Sequence, residues 1–359
     1  MIKKIIIICA VFISISGQVF SEENLIPLSG GFIQLWNEDI MYKDDTWNIV
    51  LNEMSAEWNL NMDKVVINYS QTRDAEGKLI SFIQGEFPEG QSPVSMILKY
   101  ANEYNMKVFI GLNHHKDNGK PEITSSKEFL NDSIRTNLKL AKKINDLYKD
   151  NKSFYGWYLP LELWTGIQDK EKIDNWHEYY KCLGDGLKKL SPEKKILISP
   201  FINHCIIDTC GKIDVESNYK KILKHTQIDF LALQDHLGAD SVDIKNMKRI
   251  EPVFESMKKA CEANGIDFWV NVESFEGIGS KAIATNILNL REQIRIASKY
   301  TNKIITFDFF HYMNSYVHIK CNQCSEYYQL RKNEYICRAK ALNRGYRRLF
   351  NLERREPRY

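Results

Sequence analysis

The sequence predicts an α/β fold, a single closed (β/α)8 barrel of the TIM type, and three observations predict it. Eight short runs rich in Val, Ile, Phe and Trp alternate with longer amphipathic runs along the 359 residues. Their starts are spaced roughly 33 to 47 residues apart, enough for one strand, one helix and two loops. A polar residue closes nearly every run at its C-terminal end, where such barrels gather their active sites.

Taken in order, the expected strands are Gly31–Trp36, Lys64–Ser70, Lys107–Asn113, Phe154–Glu162, Lys195–Phe201, Asp229–Asp235, Asp267–Glu273 and Lys303–Phe309. The helices between them carry start signals. Asp44 and Asp45 precede Thr46–Asn59, Ser92-Pro93 precedes Val94–Tyr104, and Ser125-x-x-Glu128 reads as a capping box before Phe129–Tyr148. Asp169–Leu190, Tyr219–His225, Asn246–Asn264, Ser280–Tyr300 and Tyr335–Asn351 complete the alternation. No glycine-rich loop follows the first strand, which argues against a dinucleotide fold. The long polar connections Gln71–Gln91 and Asn314–Leu330 are expected to wall a cleft.

Side chains alternate along a strand, so parity says which residues point inward. On the seventh strand Val270 and Val272 belong against outer helices, which turns Trp269, Asn271 and Glu273 inward. The same logic places Gln34 and Trp36, Asn68, Asn113 and His115 inward on the first three strands. Tyr158 and Glu162, Ser199 and Phe201, and Gln234 and His236 follow on the next three, with Asp235 between the last two. The eighth strand has two registers, Thr306 with Asp308 or His311. A barrel built for stability alone would fill these layers with Val, Ile and Leu.

Two of the inward groups are carboxylates closing strands four and seven, Glu162 and Glu273. Cleavage of a glycosidic bond needs such a pair, one proton donor and one nucleophile or base. The simplest chemistry is retaining hydrolysis, in which Glu162 protonates the leaving oxygen and Glu273 attacks the anomeric carbon. It requires divided proton affinities: Glu162 raised by burial near Tyr158 and Trp164, Glu273 kept ionised by donors such as His236, His311 or Tyr312. Trp164 is also a candidate platform for the apolar face of a sugar. His114 reads as a surface or loop residue, and Glu276 as a loop anchor.

Residues 1–21 read as an export signal, with Lys3 and Lys4 before the apolar stretch Ile5 to Ser16. That stretch is shorter than the ~20 residues of a membrane span. The expectation is a periplasmic or extracellular protein, with 22–359 as one barrel domain and no stable membrane insertion. Cleavage lowers the formal charge of +3 by the two lysines, too little basic excess for nucleic acid. The chain has eight cysteines. Cys205 with Cys210, and Cys321, Cys324 and Cys337 as a group, suggest local disulfides; a zinc knuckle with His318 lacks an obvious fourth ligand. Cys182 and Cys261 read as small buried apolar residues. No cofactor is expected, and the oligomeric state is not legible.

The segments Gly31-Phe32-Ile33-Gln34-Leu35-Trp36, Gly156-Trp157-Tyr158-Leu159-Pro160-Leu161-Glu162, Leu233-Gln234-Asp235 and Asn271-Val272-Glu273-Ser274-Phe275-Glu276 carry a resemblance. Together they resemble a bacterial family of domains of unknown function with a glycoside-hydrolase-like (β/α)8 barrel, over most of the chain from Gly31 to Tyr312. That family is similar to the retaining-glycosidase clan whose acid/base closes strand four and whose nucleophile closes strand seven. The resemblance implies those roles for Glu162 and Glu273. Two positions depart from the pattern: Leu161 stands where the clan has Asn, and His236 where the family has Gly. A carbohydrate-binding barrel without chemistry is the main alternative. A metal-dependent sugar enzyme using His115, Glu162, Asp235, His236 and Glu273 is the third.

Overall fold

The computed structural model describes residues 24–35, 39–55, 60–74, 76–85, 87–115, 117, 120–202, 213–278, 281–314 and 326–352. Residues 1–21, expected to be an export signal, and Trp36, Cys205, Cys210, His318, Cys321 and Cys324 lie outside them. The remaining cysteines, Cys182, Cys261 and Cys337, are free thiols. Cys261 is buried as expected, whereas Cys182 is half-exposed on its helix, where its thiol faces Glu178 at 3.3 Å.

Eight parallel strands close into a barrel in which each pairs with its chain neighbours. They are β1 Leu28–Ile33, β2 Lys64–Ile67, β3 Lys107–Gly111, β4 Phe154–Leu159, β5 Lys195–Ile198, β6 Phe230–Gln234, β7 Asp267–Glu273 and β8 Ile304–Phe307. The seam joins β1 to β8, with Gly31 opposite Thr306. Around it run α1 Asp44–Met54, α2 Pro93–Glu103, α3 Lys127–Tyr148, α4 Lys170–Leu190, α5 Val215–Ile222, α6 Glu251–Glu262, α7 Ile287–Ala297 and α8 Glu326–Leu349. The side-chain oxygens of Ser92, Ser126, Asp169, Asp214 and Asn286 accept the N–H three residues on and start five of these helices. The cap of α3 is Ser126; Ser125, expected in that role, instead accepts the Trp176 indole N–H at 3.0 Å.

Two apolar layers divide the barrel. Outside, Ile196, Ile198, Val270 and Val272 pack with Trp157 and Trp176 beneath the helices. Inside, Phe32, Phe109, Tyr158, Phe230, Trp269 and Ile305 form a separate plug. Phe109 meets Phe230 and Trp269 edge-on at 5.9 and 6.2 Å between ring centres. Gly156 on β4 makes room for that ring, since a Cβ there would lie 2.9 Å from the Phe109 ring and 2.3 Å from the Lys195 carbonyl. The plug is the floor on which the polar strand ends stand.

The sequence expectation runs six of the strands two to three residues too far at their C-terminal ends, because the chain leaves the sheet there to build the barrel mouth; β6 ends one residue early and β7 ends at Glu273 as expected. Ser280–Tyr300 is not one helix: Phe275–Ile278 and Lys281–Ala284 form an antiparallel hairpin, and α7 starts only at Ile287. A second hairpin, Gln71–Arg73 with Leu79–Ser81, rises from the long connection after β2.

Candidate active site

Glu162 stands three residues beyond β4, over the fully buried Tyr158. Its Oε1 accepts the Gln234 amide at 2.8 Å. The same amide nitrogen donates to the Ser199 carbonyl at 2.7 Å, so Gln234 is fixed from two sides. Asn271, fully buried one strand away, donates to the Ser199 hydroxyl at 3.3 Å. A polar belt from β4 to β7 therefore lies directly on the apolar plug, and Glu162 is its upper member. Part of the residue keeps contact with the mouth, but the carboxyl lies deep enough that burial pushes it up to about 7, against the opposing pull of the Gln234 donor.

Glu273, the last residue of β7, is 2% exposed. Its Oε2 accepts the Ala239 backbone N–H at 2.7 Å, and the Gly238 N–H also reaches the carboxylate. Gly238 cannot be another residue without moving something. A Cβ there would lie 2.0 Å from the Phe275 carbonyl oxygen and 3.0 Å from the Glu273 Cβ. Asp235 lies fully buried beside Glu273 and accepts the backbone N–H groups of Leu237 at 3.2 Å and Glu273 at 3.3 Å. Burial and then the Asp235 charge hold the Glu273 carboxyl well above the usual carboxylate range, and burial raises Asp235 as well. The expectation holds for Glu162 and not for Glu273, which burial and Asp235 push up against the pull of its donors; those donors are two amides of a turn rather than His236, His311 or Tyr312.

His236 instead stacks near Phe201, 5.1 Å between rings, with Nδ1 3.3 Å from Asp240. Its φ of +55° is left-handed, the conformation glycine adopts most readily, where the resembled pattern has glycine. After β8 the chain does not continue as a strand. Asp308 caps a helical turn, Phe309–Met313, by accepting the His311 N–H at 2.8 Å, while its Oδ2 meets His311 Nδ1 at 2.7 Å and the Gln34 N–H at 3.2 Å. Both alternatives for the eighth strand, Asp308 and His311, therefore belong to one buried cluster. Tyr69 joins it: its hydroxyl bonds Gln34 and its pKa is raised, by burial first and the Asp308 charge second. Tyr312 stacks on Phe275, the first residue of the hairpin strand, at 5.1 Å.

His115 does not point into the barrel. β3 ends at Gly111, and the turn sends His115 outward onto Phe129 of α3, 4.6 Å between ring centres. Its neighbour His114 takes the inner place, against Tyr69 at 5.0 Å and Thr72 at 3.3 Å, and burial lowers it to about 4, so it is neutral at neutral pH. The five residues of the metal-dependent alternative accordingly do not converge, and no group of three metal-ligating side chains occurs among the described residues. Asn68 is buried at the end of β2, while Asn113 is half-buried with its backbone N–H on the Asn137 side chain at 2.9 Å. Trp164 is half-buried in the loop after β4, bridged to Phe201. Glu276 anchors its loop as expected, through Arg338 at 3.2 Å.

The sequence pattern of DUF4434, a domain of unknown function, matches residues 28–320. The chain belongs to that family. No curated protein matches it at the sequence level. Among solved structures, a Bacteroides thetaiotaomicron protein provisionally described as an alpha-L-fucosidase superposes with a TM-score of 0.68 at 22% identity, covering 92% of this chain and 97% of its own. A GH113 beta-1,4-mannanase superposes with a TM-score of 0.53 at 11% identity, covering 91% and 99%. At these identities the likeness is one of fold, a glycosidase-like TIM barrel. For this DUF4434 member the turn Gly238-Ala239 and Tyr69 are the site residues that strand parity overlooks. Backbone donors have no side-chain signature, and Tyr69 has the parity of an outward residue but lies past the end of β2, where parity no longer holds.

Proposed function

We propose that this DUF4434 protein is an exported glycoside hydrolase that works with retention of anomeric configuration on a glycan or glycoconjugate. The observation that carries the reading is the pair of deep carboxyls closing β4 and β7 above an aromatic floor, one of them held near 7. A carboxyl with that affinity is protonated in useful measure at neutral pH and still gives its proton up readily. Glu162 would pass its proton to the glycosidic oxygen as the Glu273 carboxylate attacks the anomeric carbon, releasing the leaving alcohol and forming a glycosyl ester. Glu162, now ionised, would take a proton from water as that water opens the ester. The Gly238 and Ala239 amides hold the Glu273 oxygens in place and favour the ionised form. The positive charge growing at the anomeric carbon favours that form further, which offsets the burial and the neighbouring Asp235.

One observation favours the second reading, a carbohydrate-binding barrel without chemistry: Glu273 is pushed up strongly, whereas a nucleophile must be ionised. A hydrolysis screen of residues 22–359 against aryl glycosides and polysaccharides, with Glu273→Gln in parallel, separates the two. Turnover lost in the variant, with a first-formed product of unchanged anomeric configuration by NMR, supports the hydrolase. Sugar binding without turnover across the panel supports the binding protein.

A further inference from the structure

The opposite end of the barrel carries a feature that sugar hydrolysis does not use. Lys64, Lys107, Lys195 and Lys303 each stand two residues before a member of the inner plug, namely Val66, Phe109, Leu197 and Ile305. Parity therefore points all four into the barrel, as its lowest inward layer, where apolar branched residues are the rule. The register sets Lys64 directly beside Lys107. All four line one basin of about 1110 Å3 below the strands, among six lysines and four carboxylates. Its aromatic wall includes Tyr155, Phe230 and Trp269.

Their charges are unequally answered. Lys64 is paired with Asp63, and Lys195 with Asp229 at 2.8 Å, a carboxylate that Lys188 also claims at 3.0 Å. Among the described residues Lys107 has the face of Tyr155, 4.8 Å from its Nζ, and no carboxylate partner, and Lys303 makes no ion pair. Lys64 is 6% exposed, and its proton affinity is lowered by burial first, with Lys303 and Lys107 adding repulsion. Ion pairs built only to close the barrel end would leave no such surplus. A multivalent anion seated between Lys64, Lys107 and Lys303 would relieve the repulsion, and the ammonium groups of Lys64 and Lys107 already lie over the Trp269 and Tyr155 rings at 5.8 and 4.8 Å.

From this arrangement we propose that the basin is a binding site for a multivalent oxyanion, phosphate or sulfate, distinct from the cleft at the strands' C-terminal ends. The anion is either free or borne as ester groups on a glycan. The inference stands whether or not the cleft hydrolyses sugar. Isothermal titration of the whole protein at low salt with inorganic pyrophosphate and with sucrose octasulfate tests it. Lys107→Gln/Lys303→Gln keeps most of both stems and breaks no ion pair, so the fold should persist, which circular dichroism and thermal melting check. The expected result is saturable binding that weakens at least tenfold in this double variant and is unchanged in Lys139→Gln/Lys142→Gln on the exposed face of α3. Pyrophosphate binding identifies a free anion, and binding of octasulfate alone identifies ester groups on a sugar. Absence of binding by both probes, or equal weakening in the two double variants, overturns the proposal.

Discussion

Replacing Gly238 by alanine tests the site at its tightest point. The new Cβ would start 2.0 Å from the Phe275 carbonyl oxygen. A carbon rests about 3.3 Å from such an oxygen, so the turn must retreat by roughly 1.3 Å. The Ala239 N–H, now 2.7 Å from Glu273 Oε2, would be carried to hydrogen-bonding range's edge or beyond. A hydrogen bond to a charged group contributes about 1.5–3 kcal/mol, which corresponds to a kcat loss of roughly 10- to 150-fold if the bond matters at the transition state. Overpacking costs a further ~1–3 kcal/mol of stability. Removing donors from an ionised carboxylate also raises its pKa, so the acidic limb of the pH–rate profile should move to higher pH. The assay is kcat against pH on the substrate found by screening, beside a thermal melt. A variant that melts early yet keeps wild-type kcat and the wild-type acidic limb would show that the turn supports the fold and not the chemistry.

Other expectations follow from the same geometry. Glu162→Gln should lower turnover by several orders of magnitude and yet stabilise the protein at high pH. The folded carboxyl titrates near 7 against an ordinary 4.5, so the folded state binds more protons between those values. Stability from this group is complete below pH 4.5 and lost as pH rises through about 7, at most ~3 kcal/mol, and denaturant titrations at pH 5 and 8 should show the variant gaining only at pH 8. Asp235→Asn removes the negative neighbour of Glu273, so Glu273 should ionise at lower pH and the acidic limb should move down; an unmoved limb would mean the two carboxyls do not interact. Glu53→Ala should cost about 3–5 kcal/mol by urea unfolding, because it strips a buried acceptor from Asn314, Asn343 and Arg347 at once.

The sequence is most legible where periodicity is enforced by burial. Val270 and Val272 on one face and Trp269 and Asn271 on the other of β7 can be read directly, because both faces of a barrel strand are packed. Glu162, Gln234, Asn271 and Glu273 come together for the same reason: each stands on or just past a strand whose inward face is known, whereas Asp235, of outward parity, meets Glu273 only because it lies past the end of β6. Legibility fails where the chain leaves the sheet. His114 and His115 exchange places once β3 ends at Gly111, and Asp308 and His311 meet only because a helical turn follows β8. The hairpin after β7 was hidden inside an apparent helix, since Lys281–Ala284 has residues that suit either state and its partner strand lies in the preceding loop. The raised proton affinity of Glu273 is illegible for another reason. Glu273's holders are amides of the loop after β6, and its antagonist Asp235 directly follows β6, a neighbourhood that only the closed barrel creates.

The seam between β1 and β8 gives the chain's two ends a shared task. The Leu28 N–H donates to the Tyr346 hydroxyl at 2.7 Å across 318 residues, and α8 reaches α1 through Arg347 and Glu53. During synthesis, then, the first strand must wait for the last helix. Until β8 is made and seated, β1 and β7 present two unpaired edges, the kind of surface on which chains join to one another. A shortened chain lacking α8 would be expected to fail by clumping rather than by losing a catalytic group, and its loss of activity would report assembly instead of chemistry.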